Sequence, residues 1–177
     1  AISIPAAFDS YSVTAIGDRA FSDCSSLTSV TIPDSVAHIG ERAFYSCTAL
    51  INAVIGKGVT HIDDEAFSEC SSLMNITVSS DNLFYASDNG VLFHQNGTLI
   101  RYPGGRSGSY NVPDGVTAIG WEAFADCHVL NSVTIPDSVD HIAGWVFDDC
   151  YSLTNITVSG DNLFYASDNG VLFHQNG

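Results

Sequence analysis

Apolar and polar residues alternate over a short stretch that recurs along the whole chain. From Leu27 to Ile32 the order is Leu-Thr-Ser-Val-Thr-Ile, so Val30 and Ile32 fall on one side of the stretch and Ser29 and Thr31 on the other. Alternation with period two predicts a β-strand with one buried face. Each such strand is only a few residues long. It cannot bury its apolar face alone, so neighbouring copies have to pack side by side.

The alternating stretch is part of a unit of 23 residues that recurs five times. The units begin at Val13, Val36, Val59, Val116 and Val139. Phe, Cys and Leu also recur at fixed places within the unit. A fixed period of this length is typical of a solenoid, in which each unit forms one turn and stacked strands build a continuous parallel sheet over a continuous core.

The rest of the unit predicts a turn, a second apolar pair and a convex segment. Pro33 ends the strand because proline cannot donate a hydrogen bond to a neighbouring strand, and Val36 and Ile39 supply two more inward side chains. Residues 40–44, Gly-Glu-Arg-Ala-Phe, predict a tight turn that enters a short helical or 3₁₀ segment. The sequence therefore predicts a mainly β repeat solenoid, a right-handed superhelix of short parallel strands with short helical or 3₁₀ segments on its convex side.

Two inserts interrupt the run of units, at residues 81–115 and, incompletely, at 161–177. Both contain Asp-Asn-Gly, which favours a β-hairpin turn because Asn and Gly accept positive φ. Residues 75–97 and 155–177 lie 80 positions apart and differ only at Ser80 and Gly160. We predict antiparallel hairpins that project from the solenoid, within a duplicated module of two units and one insert. Residues 1–177 are expected to form a single domain and to be a fragment of a longer repeat protein.

The charge of the chain narrows the range of partners. The chain has 20 acidic and 5 basic residues and a formal net charge of −15. Nucleic-acid binding needs clustered Lys and Arg that replace counterions, and an anionic membrane surface would repel this chain. No apolar run approaches the ~20 residues that a membrane-spanning helix requires. We therefore expect neither nucleic-acid binding nor membrane insertion.

The cysteines and histidines recur at fixed positions of the repeat and do not form a metal-binding motif. The five Cys are separated by whole units and form no closely spaced pairs, so we expect free core thiols and no zinc site. Stacked side chains that point the same way also fit poorly to disulfides. His38, His61 and His141 share one repeat position. We expect solvated side chains there, with a weak surface metal site as the alternative.

Carboxylates also recur with the repeat, and they form exposed rows. Such rows do not give two carboxylates the different environments that acid–base catalysis needs. No Gly-x-Ser-x-Gly, His-Glu-x-x-His or phosphate-binding glycine loop occurs. We predict no catalytic residue, no enzyme activity and no cofactor. Binding of Ca²⁺ between neighbouring units is the alternative, because oxygen ligands suit that ion.

The repeated unit resembles the BspA-like leucine-rich repeats of bacterial and some protist surface proteins. Their signature, Ile-Pro-Asp-Ser-Val-x-x-Ile-Gly-x-x-Ala-Phe-x-x-Cys-x-x-Leu-x-x-Val-x-Ile, is met almost fully from Ile32 to Val54 and well from Ile135 to Val158. The inserts, with Asp-Asn-Gly-Val-Leu-Phe, look like the long variant repeat of that family. The resemblance implies a secreted or cell-surface location and adhesion to host, extracellular-matrix or microbial surface proteins.

Two functions remain open from the sequence. The first is a protein-binding module that contacts its partner through the concave strand face and the hairpin aromatics. The candidate contact residues are Phe84, Tyr85, Phe93, Phe164, Tyr165, Phe173, Asn52, Asn75, Thr77, Asn155 and Thr157. The second is a structural spacer or self-assembling fibre, in which solenoid ends with unpaired strands stack on another copy.

Overall fold

The computed structural model describes residues 1–175, which form a stack of solenoid turns, here called rungs, without any helix. Within that range no helix is long and apolar enough to cross a membrane. The first strand of each rung lies on one of two parallel sheets, and we call these strands the face strands. The face strands are β1 (Ile2–Ser3), β5 (Ser29–Ile32), β7 (Asn52–Ile55), β9 (Asn75–Val78), β13 (Gly108–Asn111), β15 (Leu130–Ile135) and β17 (Asn155–Val158). Each rung is named after its face strand.

A second set of short strands follows the face strands around each rung. The short strands are β4 (Ala15–Ile16), β6 (His38–Ile39), β8 (His61–Ile62), β14 (Ala118–Ile119) and β16 (His141–Ile142). The inserts contribute β10 (Tyr85–Asp88), β11 (Val91–His94), β12 (Thr98–Arg101), β18 (Tyr165–Asp168) and β19 (Val171–His174). Near the N-terminus, β2 (Ala7–Phe8) and β3 (Tyr11–Ser12) form a small antiparallel hairpin.

The face strands pair in the register that the repeat predicts. From β5 through β7 to β9, and from β15 to β17, each residue lies opposite its counterpart 23 positions later, as Val30 does opposite Ala53. Val30 and Ile32 are buried, whereas Thr31 between them is exposed. The solenoid class, the parallel strands and the inward side of each strand are thus confirmed. The division into one domain and a longer parent protein stays a prediction, and residues 176–177 of the second insert lie outside the described range.

The convex segments are consecutive β-turns, not the helical or 3₁₀ turns that we predicted. In the β5 rung, the amide of Arg42 donates to the Asp64 carbonyl of the next rung at 3.1 Å. The amide of Phe44 donates in the same way to Ala66 at 2.8 Å, while the intervening Ala43 amide bonds within its own rung. Arg42 has a φ of 55°. Alternate amides can bond the next rung only in this geometry, because a helix directs every amide along its own axis.

Aromatic side chains form a column beneath the convex turns. The ring centroids of Phe21 and Phe44 are 5.2 Å apart, and so are those of Phe44 and Phe67, in nearly parallel planes. Beyond the insert, Tyr102 and Phe124 continue the arrangement at 5.2 Å. Stacked aromatic contacts of this kind add to the apolar burial of each ring. The recurrent Phe is therefore a core residue at every rung that has neighbours on both sides.

The five cysteines are free thiols, as predicted. The Sγ of Cys47 donates to the Phe21 carbonyl of the preceding rung at 3.1 Å, and Cys70 repeats this bond to Phe44 at 3.2 Å. Burial raises the pKa of Cys47 to about 11 and that of Cys70 to about 12. Cys24, on the first rung, is exposed. The recurrent Cys thus links rungs wherever a rung precedes it. Cys47, Cys70 and Cys127 are buried, whereas Cys150 is half-buried and donates to the Phe124 carbonyl at 3.0 Å.

The first insert is part of the stack and does not project from it, which corrects the sequence prediction. β10, β11 and β12 form an antiparallel meander, and β12 then pairs in parallel with β14 as the short strand of the β9 rung. The side chains of β11 alternate between two cores. Leu92 packs with the preceding rungs, whereas Val91 and Phe93 pack with the following ones. The continuous Val-Leu-Phe run is therefore a strand buried on both faces.

The tip of this hairpin closes the open edge of β9. The amide of Ile76 donates to the Gly90 carbonyl at 2.8 Å, and the amide of Val78 donates to the Ser87 hydroxyl at 2.9 Å. Gly90 has a φ of 81°, and a Cβ there would lie 2.7 Å from Oδ1 of Asn75. Only glycine fits this contact. The hairpin tip thus separates the face sheet of the first module from that of the second.

Candidate functional site

A buried asparagine at the start of each insert holds the chain against the solenoid. Asn82 is only 2% exposed. Its Nδ2 donates to the carbonyls of Gly56 and Val59, both at 3.0 Å. Its Oδ1 accepts the amides of Phe84 and Tyr85 at 2.9 and 2.8 Å. These four bonds fix the backbone of the residues that follow.

The fixed backbone holds Leu83 and Phe84 outside the core. They are 82% and 41% exposed. In the second insert Asn162 makes the corresponding bonds, and Leu163 and Phe164 are 79% and 40% exposed. We call each exposed Leu-Phe pair a shoulder. The two shoulders have the same exposure although their modules have different neighbours, so the local anchor determines their presentation.

The shoulders contain two of the hairpin aromatics that the sequence singled out, Phe84 and Phe164. Tyr85, Tyr165 and Phe93 lie in the core, and burial removes them from any surface that a partner contacts. The hydroxyl of Tyr85 accepts the amide of Ile62 at 3.0 Å, so this tyrosine is a structural anchor. Sequence reasoning missed both leucines of the shoulders and the anchoring asparagines. The invariant Asn-Leu-Phe-Tyr string was the available signal.

The polar residues of the face strands are exposed as the alternation predicts. Asn52, Asn75 and Thr77 lie on the sheet of the first module, and Asn155 and Thr157 lie on that of the second. Nδ2 of Asn75 donates to Oδ1 of Asn52 at 3.1 Å, which aligns the two side chains across neighbouring strands.

Three exposed apolar residues accompany this polar face in the first module, and the sequence analysis did not include them. Ile51, Val54 and Met74 are each 41–42% exposed. Ile51 and Met74 occupy the same repeat position on adjacent rungs. They make the first face sheet less polar than the composition of the repeat indicates.

Two of the three histidines that share a repeat position contact the same carboxylate. Nε2 of His38 lies 2.6 Å from Asp63, and Nε2 of His61 lies 3.0 Å from the other oxygen of the same side chain. Asp63 occupies the repeat position of Gly40 in the preceding unit, and in the unit of His141 this position is Ala143. Among residues 1–175 no group of three or more His, Cys, Asp or Glu side chains has a geometry that could hold a metal ion.

A cleft opens on the convex side because the β9 rung is shorter there than its neighbours. Leu99 pairs with Ile119, and the ring of Tyr102 stacks on Phe124. Three positions separate Leu99 from Tyr102, whereas five separate Ile119 from Phe124, so the β9 rung lacks two residues. The missing backbone leaves a cleft of about 140 Å³ between the β7 and β13 rungs.

Arg101 lies at this cleft and connects the rungs on either side of it. Its Nη1 donates to the Glu122 carbonyl at 2.9 Å and to the Ser68 hydroxyl at 3.3 Å. Its Nη2 lies 3.3 Å from Oδ2 of Asp126, which also accepts the amide of Glu69 at 2.9 Å. The Asp126 side chain thus replaces the carbonyl that the shortened rung does not provide. Nε of Arg101 is buried and has no hydrogen-bond partner within residues 1–175.

Comparison with known proteins places this geometry among bacterial repeat proteins. Residues 2–95 and 106–170 match six copies of the family described as BspA type leucine rich repeat region. The chain resembles the pneumococcal vaccine antigen PcpA, with 22% identity and a TM-score of 0.70 over 87% of this chain and 44% of that one. At this identity the likeness shows the fold alone, and the chain spans less than half of PcpA. No curated protein sequence matches the chain significantly.

Two further solved structures are similar at slightly higher identity. A leucine rich cell surface protein from Faecalibacterium prausnitzii has 26% identity and a TM-score of 0.52, over 87% of this chain and 68% of that one. A leucine rich repeat protein from T. pallidum has 27% identity and a TM-score of 0.50, over 88% of this chain and 56% of that one.

Proposed function

This chain belongs to the family of BspA-type leucine-rich-repeat proteins, and we propose that it is a non-enzymatic adhesion module of a secreted or cell-surface protein. Its partner is a protein of a host surface, of the extracellular matrix or of another microbe. The shoulders are the contact sites. The location is supported by the similar protein from F. prausnitzii, which is described as a cell surface protein.

The observation that carries this proposal is the rigid exposure of the same apolar pair in both modules. Exposed apolar side chains of this size, held by a buried hydrogen-bonded anchor, are typical of interaction surfaces. Large apolar anchors supply most of the binding energy of an interface, and polar neighbours form its rim. Two identical shoulders on one rigid solenoid also allow bivalent contact with a repetitive partner, which raises the overall affinity without new contacts.

We expect Leu83→Ser or Leu163→Ser to weaken binding to the partner about tenfold each, and the double variant to weaken it about a hundredfold. The measurement is biolayer interferometry against a panel of purified matrix glycoproteins and intact host cells. Phe8→Ser is the matched control, because Phe8 is 72% exposed but lies on the N-terminal hairpin. Unchanged binding by a folded double variant would contradict the proposal.

The alternative function, a spacer or fibre of stacked modules, requires that the outer face of the second hairpin packs on a second copy. Val171 and Phe173 are 65% and 46% exposed, whereas their counterparts Val91 and Phe93 are 0% and 9% exposed beneath the next rung. If this face stacks on a second copy, the mass from light scattering rises with protein concentration and Val171→Asp abolishes the rise. A constant monomer mass would leave adhesion as the function.

A further inference from the structure

The cleft on the convex side contains backbone donors that have lost their acceptors. In the β5 rung the amides of Arg42 and Phe44 bond carbonyls of the next rung. The corresponding amides of Glu65 and Phe67 make no such bond within residues 1–175. Both residues line the cleft, and their repeat position directs these amides toward the shortened rung. Together with Nε of Arg101, one small cleft contains three donors that have no acceptor among the described residues.

The rim of the cleft is negatively charged and carries an exposed indole. Arg42 neutralises Glu65 through two bonds of 2.8 and 2.9 Å, but Asp64 and Glu122 have no ion-pair partner within the described range. Burial, and after it the charge of Glu65, raises the pKa of Glu122. Trp121 is 51% exposed beside these carboxylates. A cation at the rim would relieve this repulsion and lie near an aromatic face.

We propose that this cleft is a docking site for an extended peptide segment of a partner protein, with a lysine or arginine side chain placed at Glu122 and Trp121. The partner's backbone carbonyls accept the free amides of Glu65 and Phe67. The flanking rungs are two strand spacings apart, about 10 Å, so the gap admits one extended backbone. Addition of an extended peptide to unpaired backbone groups is a recurrent mode of recognition.

A peptide accounts for the donors better than a sugar does. The cleft has the place and direction of one missing rung backbone, and a backbone supplies carbonyls at the spacing of alternate amides. A sugar also offers oxygen acceptors and stacks on tryptophan, but it brings no cation to Glu122. No residue of either shoulder lines the cleft, so this inference holds or fails independently of the function proposed above.

The test is a titration of the ¹⁵N-labelled chain with acetyl-Ala-Lys-Ala-amide, followed by NMR. We expect saturable shifts of the Glu65 and Phe67 amides and of the Trp121 indole, with a dissociation constant in the millimolar range, about −4 kcal/mol. Acetyl-Ala-Gln-Ala-amide is expected to bind about fivefold more weakly, because it keeps the backbone and removes the cation.

Variants separate the cleft from unspecific binding to an acidic surface. Trp121→Ala and Glu122→Gln are each expected to weaken binding of the lysine peptide about fivefold. Trp145→Ala is the matched control, since Trp145 is 59% exposed on the next rung and does not line the cleft. Equal binding of the two peptides, shifts spread over the whole surface, or saturable shifts with N-acetylglucosamine in place of the peptide would each overturn the inference.

Discussion

Replacement of Phe93 by alanine is expected to lower the free energy of unfolding by about 3–5 kcal/mol, the usual cost of removing a buried phenylalanine. Phe93 is 9% exposed and packs in the core of the second module. Phe173→Ala is expected to cost only about 1 kcal/mol, because Phe173 is 46% exposed. Urea denaturation monitored by circular dichroism measures both values.

The two phenylalanines make an unusually well-matched pair. Residues 81–97 and 161–177 are identical, so helix propensity, strand propensity and turn chemistry are the same at both positions. Any difference between the two substitutions in the free energy of unfolding therefore has to come from the residues that pack on each hairpin. Equal costs would mean that the first hairpin is not interposed between two cores.

Loss of the Arg101 guanidinium is expected to lower the free energy of unfolding as much as loss of the Phe93 ring does. Arg101→Met removes the cation beside Asp126, whose side chain is only 14% exposed. A carboxylate left in such a place without its partner costs about 3–5 kcal/mol. The hydrogen bonds to Ser68 and to the Glu122 carbonyl are lost in the same substitution. We expect a marked fall of the melting temperature, measured by calorimetry.

A double variant distinguishes the ion pair from simple loss of packing. Asp126→Asn removes the negative charge, so Arg101→Met combined with Asp126→Asn is expected to be less destabilising than the sum of the two single changes. Arg19→Met is the control, because Arg19 occupies a convex turn of the first rung but is exposed. A stability of Arg101→Met within about 1 kcal/mol of the wild type would show that the pair does not hold the rungs together.

Both substitutions concern residues whose roles the repeat pattern does not reveal. Phe93 was a candidate contact residue because it lies in a hairpin that was expected to project. It is buried because the next rung packs on that hairpin. The sequence predicted no role for Arg101, because a single arginine in an insert has no counterpart in the other units. The cleft depends on the absence of two residues from one rung, which becomes visible only when Leu99 is paired with Ile119 and Tyr102 with Phe124.

The convex segments show how neighbouring rungs override a local pattern. Gly-Glu-Arg-Ala-Phe at residues 40–44 favours a turn followed by a helical segment. The amides of Arg42 and Phe44 bond the next rung instead, and the chain accepts a positive φ at Arg42 to permit this. Hydrogen bonds between rungs are absent from an isolated unit, so local propensity cannot anticipate them.

The sequence alone predicts the solenoid, the register of the repeated face strands, the inward and outward sides of each strand, the free thiols and the family. The family follows from the signature residues of the repeat. The other features follow from periodicity, because a repeat of 23 residues places identical side chains on identical neighbours. The folded structure shows where equivalent residues of the repeat have different neighbours. It buried one hairpin and exposed its copy, and it opened a cleft at the shortened rung, since each of these depends on which residues pack across from it. It also left Leu83 and Phe84 in solvent, because the bonds of Asn82 hold their backbone outside the core.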